Sequence, residues 1–209
     1  QVGGFYPGAM FDSDTLSLRH WKDHSPIIVL SPHDPKAMRR QVQECKQLGL
    51  TLCYDIGQQV SNAPAEDLRA GLDAAEVLIL NEYELHVLSK RTGRSVGSII
   101  AALPLVVTTF GPNGSRIEGA SLAEPIEIGA APPTNVADPT GAGDAYRSGF
   151  LYGYARDWPL VTCGQLGAVC ASFGIETLGT QSHAPTRQQI AERYEAVFDE
   201  QVPFDEIEE

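Results

Sequence analysis

Short, almost wholly apolar runs separated by stretches of helical period constrain this chain more than any other feature. Ile27-Ile28-Val29-Leu30-Ser31, Leu50-Thr51-Leu52-Cys53-Tyr54-Asp55, Val77-Leu78-Ile79-Leu80 and Leu105-Val106-Val107-Thr108-Thr109 are each too short for a typical helix. They also lack the apolar–polar alternation of a half-exposed strand, so they are predicted as strands buried on both faces. Between them the pattern predicts helices over Pro35–Leu48, 64–75, 81–91 and Val96–Ala102. Pro35 suits a helix start, where its missing N–H would have no partner, and Gly49 ends that helix. Strand–helix–strand repetition of this kind implies an α/β fold with a mostly parallel central sheet flanked by helices on both faces.

The pattern changes after Thr109. Residues 115–137 are predicted as a hairpin or meander, with turn signals at Pro112-Asn113-Gly114 and Gly119-Ala120. From Ala142 onward the period is helical, over about 142–156, 160–177 and 186–198. No internal repeat or low-complexity linker interrupts the chain, so residues 1–198 are taken as one α/β domain and 199–209 as an acidic tail. The 209 residues carry 15 Lys+Arg against 27 Asp+Glu, a formal net charge of −12. Half of that charge is local, from Asp199, Glu200, Asp205, Glu206, Glu208 and Glu209 with no intervening base. An acidic surface repels nucleic acid phosphates and anionic lipid, which excludes both as expected partners.

No apolar run approaches the roughly 18 residues a membrane span needs, and residues 1–8 lack the basic flank and apolar stretch of a signal peptide. Cys45, Cys53, Cys163 and Cys170 show no C-x-x-C pair and no metal spacing. Cys163 and Cys170, seven apart, share one helix face, a burial pattern. All four are expected as reduced thiols of a cytoplasmic protein.

In a parallel sheet, ligands bind beyond the carboxyl ends of the strands, so the residues there carry the chemistry. Asp138-Pro139-Thr140-Gly141-Ala142-Gly143-Asp144 runs from a loop into a helix. Its small residues let backbone approach a ligand, and N–H groups at a helix N-terminus favour an anion. Asp144, in the first turn beside that anion site, could accept a proton from a hydroxyl attacking a phosphoryl group. The plainer alternative is an acidic residue that stabilises the helix start. Thr109-Phe110-Gly111-Pro112-Asn113-Gly114 is a T-x-G-x-x-G after a strand, which holds phosphate on backbone amides or is simply a tight turn. Asn81 and Glu84 follow the third strand, either as a capping box or near magnesium and phosphate oxygens.

In this order, the three segments resemble the ribokinase (PfkB) family of ATP-dependent sugar and nucleoside kinases. The phrases Phe5-Tyr6-Pro7-Gly8-Ala9-Met10, Gln58-Gln59 and Gly179-Thr180-Gln181 are similar to its bacterial adenosine kinases, members of purine salvage. The resemblance covers nearly the whole chain up to the tail. It implies a ribokinase-like fold and transfer of the γ-phosphoryl of Mg-ATP to a primary hydroxyl, the 5′-hydroxyl of adenosine. A sugar kinase with the same machinery and a catalytically silent nucleotide-binding module are the alternatives. Asp144 would be the base, and the amides of Gly141, Ala142 and Gly143 the anion hole. Asn81 and Glu84 would organise the magnesium on ATP, and Thr109, Gly111 and Gly114 would lie along the nucleotide. Phe5 would stack on the nucleoside base beside Gln58 and Gln59, unless Phe5 is a core aromatic and the glutamines loop surface. A monovalent cation, potassium, would sit behind the anion hole on Asp138, Thr140 and the carbonyls of Gly174, Thr177 and Gly179.

Family members have a long N-terminal portion before the point where this chain begins, holding early strands, the substrate lid and the groups that grip the sugar hydroxyls. The expectation is therefore the C-terminal, nucleotide-binding part of the family fold within a longer chain. Any lid or homodimer surface would belong to that N-terminal portion.

Overall fold

A computed structural model describes residues 8–24 and 27–204. The chain divides into two compact units, one running to Thr108 with 118–125 added, the other comprising 109–117 and the residues from 126 onward.

In the first unit, β1 (Ile28–Leu30), β2 (Leu52–Tyr54), β3 (Val77–Asn81) and β4 (Leu105–Thr109) lie side by side in chain order. β1 and β2 run parallel with Val29 opposite Cys53, and β2 and β3 run parallel with Tyr54 opposite Leu78. All of β2 and the first four residues of β3 and β4 are buried, which explains their unbroken apolar runs. β1 departs from the expectation: Ile28 and Leu30 are buried but Val29 is 43% exposed. One face of this first strand in the order is left only partly covered by the described residues.

The helices follow from capping and spacing. α1 (Pro35–Leu48) starts where the Asp34 carboxylate accepts from the Ala37 N–H at 2.8 Å and ends at Gly49. It buries Met38, Gln41, Val42 and Cys45, the i, i+3, i+4, i+7 stripe of an amphipathic helix. α2 (Ala65–Leu72) is shorter than predicted, because the N–H groups of Asp73, Ala74 and Ala75 turn back onto Arg69 and Gly71. α3 (Glu82–Thr92) and α4 (Val96–Ala102) complete the unit. A 3₁₀ turn over Gly57–Ser61 went unanticipated, since five residues of 3₁₀ carry no apolar period. Leu52, Leu68, Leu78, Leu88 and Ile99 are fully buried in the core these elements enclose.

In the second unit, β5 (Ser115–Glu118) and β6 (Ile126–Ile128) form an antiparallel pair with Ser115 opposite Ile128. The predicted hairpin therefore ends early. Beyond Ile128 the chain is an irregular loop, in keeping with the inability of Pro132 and Pro133 to donate to a sheet ladder. α5 (Ala142–Tyr154), α6 (Leu160–Gly174) and α7 (Arg187–Phe198) follow. α5 and α6 pack closely enough that a Cβ on Gly149 would stand 2.7 Å from the Leu166 carbonyl oxygen. The four cysteines form no disulfide. Burial pushes the thiols of Cys45 and Cys170 up to about 11 and that of Cys163 to about 12, so these three are protonated and unreactive near neutrality. No described helix is long and apolar enough to cross a membrane.

Candidate active site

The sequence of the second unit builds a cleft of about 590 Å³, within the usual range for small-molecule sites. Thr109, Gly111 and Gly114 line one side, and Pro139, Ala142, Gly143 and Tyr146 another. The T-x-G-x-x-G turn and the Gly-Ala-Gly-Asp helix start, 27 residues apart between Gly114 and Gly141, thus border the same space. The turn is closed by Phe110 N–H on Gly114 O at 2.8 Å and Gly114 N–H on Gly111 O at 3.1 Å. Tyr146 is buried and shares a 2.7 Å hydrogen bond with the Ser115 hydroxyl. Burial pushes its phenol up to about 12, so it stays neutral.

Gly141 is the N-cap of α5 with φ +86°, which turns the chain sharply into the helix. Asp144 occupies the third helical position, with its side chain 76% exposed. One of its oxygens accepts from the Arg147 guanidinium one turn along, whose side chain is only 11% exposed. Arg147 went unremarked in the sequence, although i, i+3 spacing from an acid is the signal that finds such a pair. Of the three amides expected to face an anion, that of Ala142 donates to Pro139 O over a long 3.3 Å. The helix N-terminus itself supplies a positive field for an anion.

Asp138 ties the loop before α5 to the loop after α6. Its carboxylate accepts from Thr140 N–H at 2.9 Å and from Gly179 N–H at 3.1 Å. These bonds, those of Thr140 foremost, hold the carboxyl below the usual range. The buried Thr177 hydroxyl oxygen has no hydrogen-bond partner in the protein. Thr177 lies two residues before Gly179, whose N–H Asp138 holds, and an unpaired hydroxyl oxygen and a carboxylate are the kind of oxygen donors that a hard cation takes.

Glu176 braces the same region. It accepts from Thr134 N–H at 2.6 Å and from Arg193 at 2.8 Å, and Arg193 also donates to Ser172 at 2.9 Å. Burial works against its ionisation, but the bonds from Arg193 and Thr134 outweigh this and lower its pKa. A depressed carboxyl contributes stability that is complete above its unfolded pKa and is lost as pH falls through the folded one. Glu176→Gln is expected to cost about 1–3 kcal/mol at neutral pH and to lose less stability than the parent on acidification below about pH 4, as read by denaturant melts across pH.

In the first unit, Asn81 and Glu84 form a reciprocal cap at the start of α3. Asn81 Oδ1 accepts from Glu84 N–H at 2.8 Å, and Glu84 Oε2 from Asn81 N–H at 2.9 Å. The structural alternative for this pair is therefore realised, and it fixes both side chains at the end of β3. Among the described residues, no three His, Cys, Asp or Glu side chains converge on a point that could hold a metal ion. Gln58 is exposed in the 3₁₀ turn after β2. The Gln59 amide donates to His33 O, and the His33 ring lies between Ser31 O at 2.6 Å and Gln41 Oε1 at 2.9 Å. Gln59 is thus anchored to the loop that follows β1. Phe5 lies outside the described residues.

The architecture is that of ribokinase-like α/β proteins. It matches the nucleoside kinase of Burkholderia thailandensis in complex with ADP-inosine at a TM-score of 0.89, with 28% identity over 99% of this chain and 64% of that one. The pattern of the pfkB family of carbohydrate kinases matches residues 14–187, and the chain belongs to that family. It is 31% identical to the nucleoside kinase of Methanothermobacter thermautotrophicus over 98% of this chain and 65% of the relative. It is 30% identical to that of Methanocaldococcus jannaschii, over 85% and 60% respectively. The chain therefore spans less than two thirds of the length of these relatives.

Proposed function

We propose that the protein carrying this chain is an ATP-dependent kinase that phosphorylates the primary hydroxyl of a nucleoside, with adenosine as the expected acceptor. The observation that carries this reading is the shared border of one cleft by Thr109, Gly111 and Gly114 and by Ala142 and Gly143 at the start of α5, with Asp144 in the same first turn. The preference for a nucleoside over a sugar is supported by the nucleoside kinases among its relatives.

ATP would lie along the turn at Gly111 and Gly114, with its γ-phosphate toward the amides of Gly141, Ala142 and Gly143. These donors and the helix field would stabilise charge on the transferring group. Asp144 would take the proton of the attacking hydroxyl, its carboxylate steadied by Arg147. Magnesium, carried on the ATP phosphates, would neutralise their charge. A potassium ion would fit the oxygens of Asp138, Thr140 and Thr177 and the carbonyls of Gly174 and Gly179.

The test is ADP release by the complete protein with Mg-ATP and, in parallel, adenosine, inosine, ribose, fructose and fructose 6-phosphate. Turnover with adenosine is expected. Turnover with a sugar alone would keep the mechanism and replace the acceptor. ATP binding without turnover on any of these would indicate a silent nucleotide-binding module.

A further inference from the structure

We infer that Arg193 on α7, outside the cleft, is a positioning residue for nucleotide binding: through Glu176 it fixes the loop that forms the apolar wall of the cleft. The inference rests on the cleft being the nucleotide site proposed above, and deepens it by naming a pair that sets its affinity from a distance.

Ala130, Ala131, Pro132, Pro133 and Val136 border the cleft from the stretch between Ile128 and Ala142, which holds neither helix nor strand. A segment without a ladder keeps its shape through the bonds it makes to its neighbours, and freeing it regains conformational entropy. Beyond the two prolines those bonds converge on two residues just past α6. Thr134 N–H donates to Glu176 Oε1 at 2.6 Å, and the Asn135 side-chain amide to Glu176 O at 3.3 Å. The N–H groups of Ala137 and Asp138 both reach Ile175 O, at 2.8 and 3.2 Å. Ile175 itself lines the cleft.

The Glu176 carboxylate anchors Thr134 firmly only if it is itself held, and Arg193 holds it. The guanidinium makes two bonds to the carboxylate, Nη1 to Oε1 at 2.8 Å and Nη2 to Oε2 at 3.2 Å, and a third from Nη1 to the Ser172 hydroxyl at 2.9 Å. It also lies 3.5 Å from the centre of the Phe173 ring. The two charged side chains are only 15% and 13% exposed, so salt and water screen the pair far less than one on the surface. Carboxylate, hydroxyl and ring together call for a planar fork, which lysine does not offer. Arg193 does not border the cleft, so its route to the nucleotide runs through Glu176 and the wall.

Calorimetry with ADP on the complete protein, at a temperature where each variant is folded, would be paired with steady-state kinetics in ATP at saturating acceptor. Arg193→Met is expected to raise the dissociation constant of ADP and the KM for ATP together by about three- to thirtyfold, the span of effects that residues outside a site exert on it. Its kcat should stay within about twofold of the parent, because ground-state binding and not the chemical step is disturbed. Arg193→Lys should recover part of the affinity. Since both residues act through one pair of bonds, adding Arg193→Met to Glu176→Gln should weaken ADP binding little further than the worse single variant. An ion pair that serves the fold alone would lower the melting temperature and leave the affinity of the folded protein unchanged. Unchanged ADP affinity in folded Arg193→Met, a fully additive loss in the double variant, or a fall in kcat without a change in affinity would each overturn the inference and leave the kinase reading intact. If Arg193→Met does not fold, Arg193→Lys and Glu176→Gln carry the same comparison. ADP binding without turnover in the parent would overturn the kinase reading, while the affinities would still decide the role of Arg193. Failure of the parent to bind ADP would overturn both.

Discussion

Asp144→Asn is expected to lower kcat by about 10²- to 10⁴-fold, the range for loss of a general base, with little change in the KM for ATP. Asparagine matches the shape of aspartate and suits the first turn of a helix, so the substitution removes basicity rather than structure. It weakens the ion pair with Arg147. Because the Asp144 side chain is 76% exposed, that pair adds little to stability, and the variant should melt close to the parent. A base that acts only in the chemical step changes kcat and kcat/KM equally while leaving ground-state binding alone. Single-turnover measurements with pre-bound ATP and adenosine isolate that step. Parental turnover in the variant would remove Asp144 from the mechanism. Equal losses in ATP affinity and kcat would instead make it part of the nucleotide site.

The periodic parts of the fold were the legible parts. Pro35–Leu48 and Val96–Ala102 are helices over the residues anticipated, because each has a side-chain cap and an apolar stripe or buried anchor. The four strand runs were legible because burial on both faces demands uninterrupted apolar residues, and Val29 shows where that demand relaxes. The loop after Ile128 departs from the expected meander, since β-branched and small residues continue there while the prolines deny it a ladder. In the candidate site, the motif glycines and Asp144 were visible because their spacing is local. The loop wall at Ala130–Val136 was not visible. Its course is set by the bonds of Thr134 N–H to Glu176 and of the following Ala137 and Asp138 N–H groups to Ile175 O, some forty residues distant in sequence. Arg147 lies between these cases, locally spaced from Asp144 but recognisable only once its burial is known.

Gly114→Ala is expected to cost about 3 kcal/mol or more, combining the strain of a conformation that only glycine adopts readily with a forced shift of the neighbouring strand. Gly114 has φ +87° and ψ −144°, and a Cβ there would lie 2.0 Å from the Ile128 carbonyl oxygen, an overlap with backbone rather than with a yielding side chain. Ile128 pairs with Ser115 across the β5–β6 ladder, so relieving the overlap must displace the strand that leads into the cleft wall. Gly111 supplies the comparison within the same motif. Its φ is +59°, but nothing lies within 4 Å of the added Cβ, so Gly111→Ala should carry only the left-handed penalty of about 1–2 kcal/mol. The two glycines then separate the structural and ligand-binding readings of T-x-G-x-x-G. Gly114 is buried where the turn meets the ladder, and its loss should appear in denaturant melts. Gly111 is exposed on the cleft, so its substitution should weaken nucleotide binding more than it weakens the fold. Equal destabilisation by the two substitutions would show that backbone conformation alone accounts for both. Destabilisation by Gly111→Ala with unaltered nucleotide affinity would make the whole segment a tight turn and move the phosphates to the helix start at Gly141.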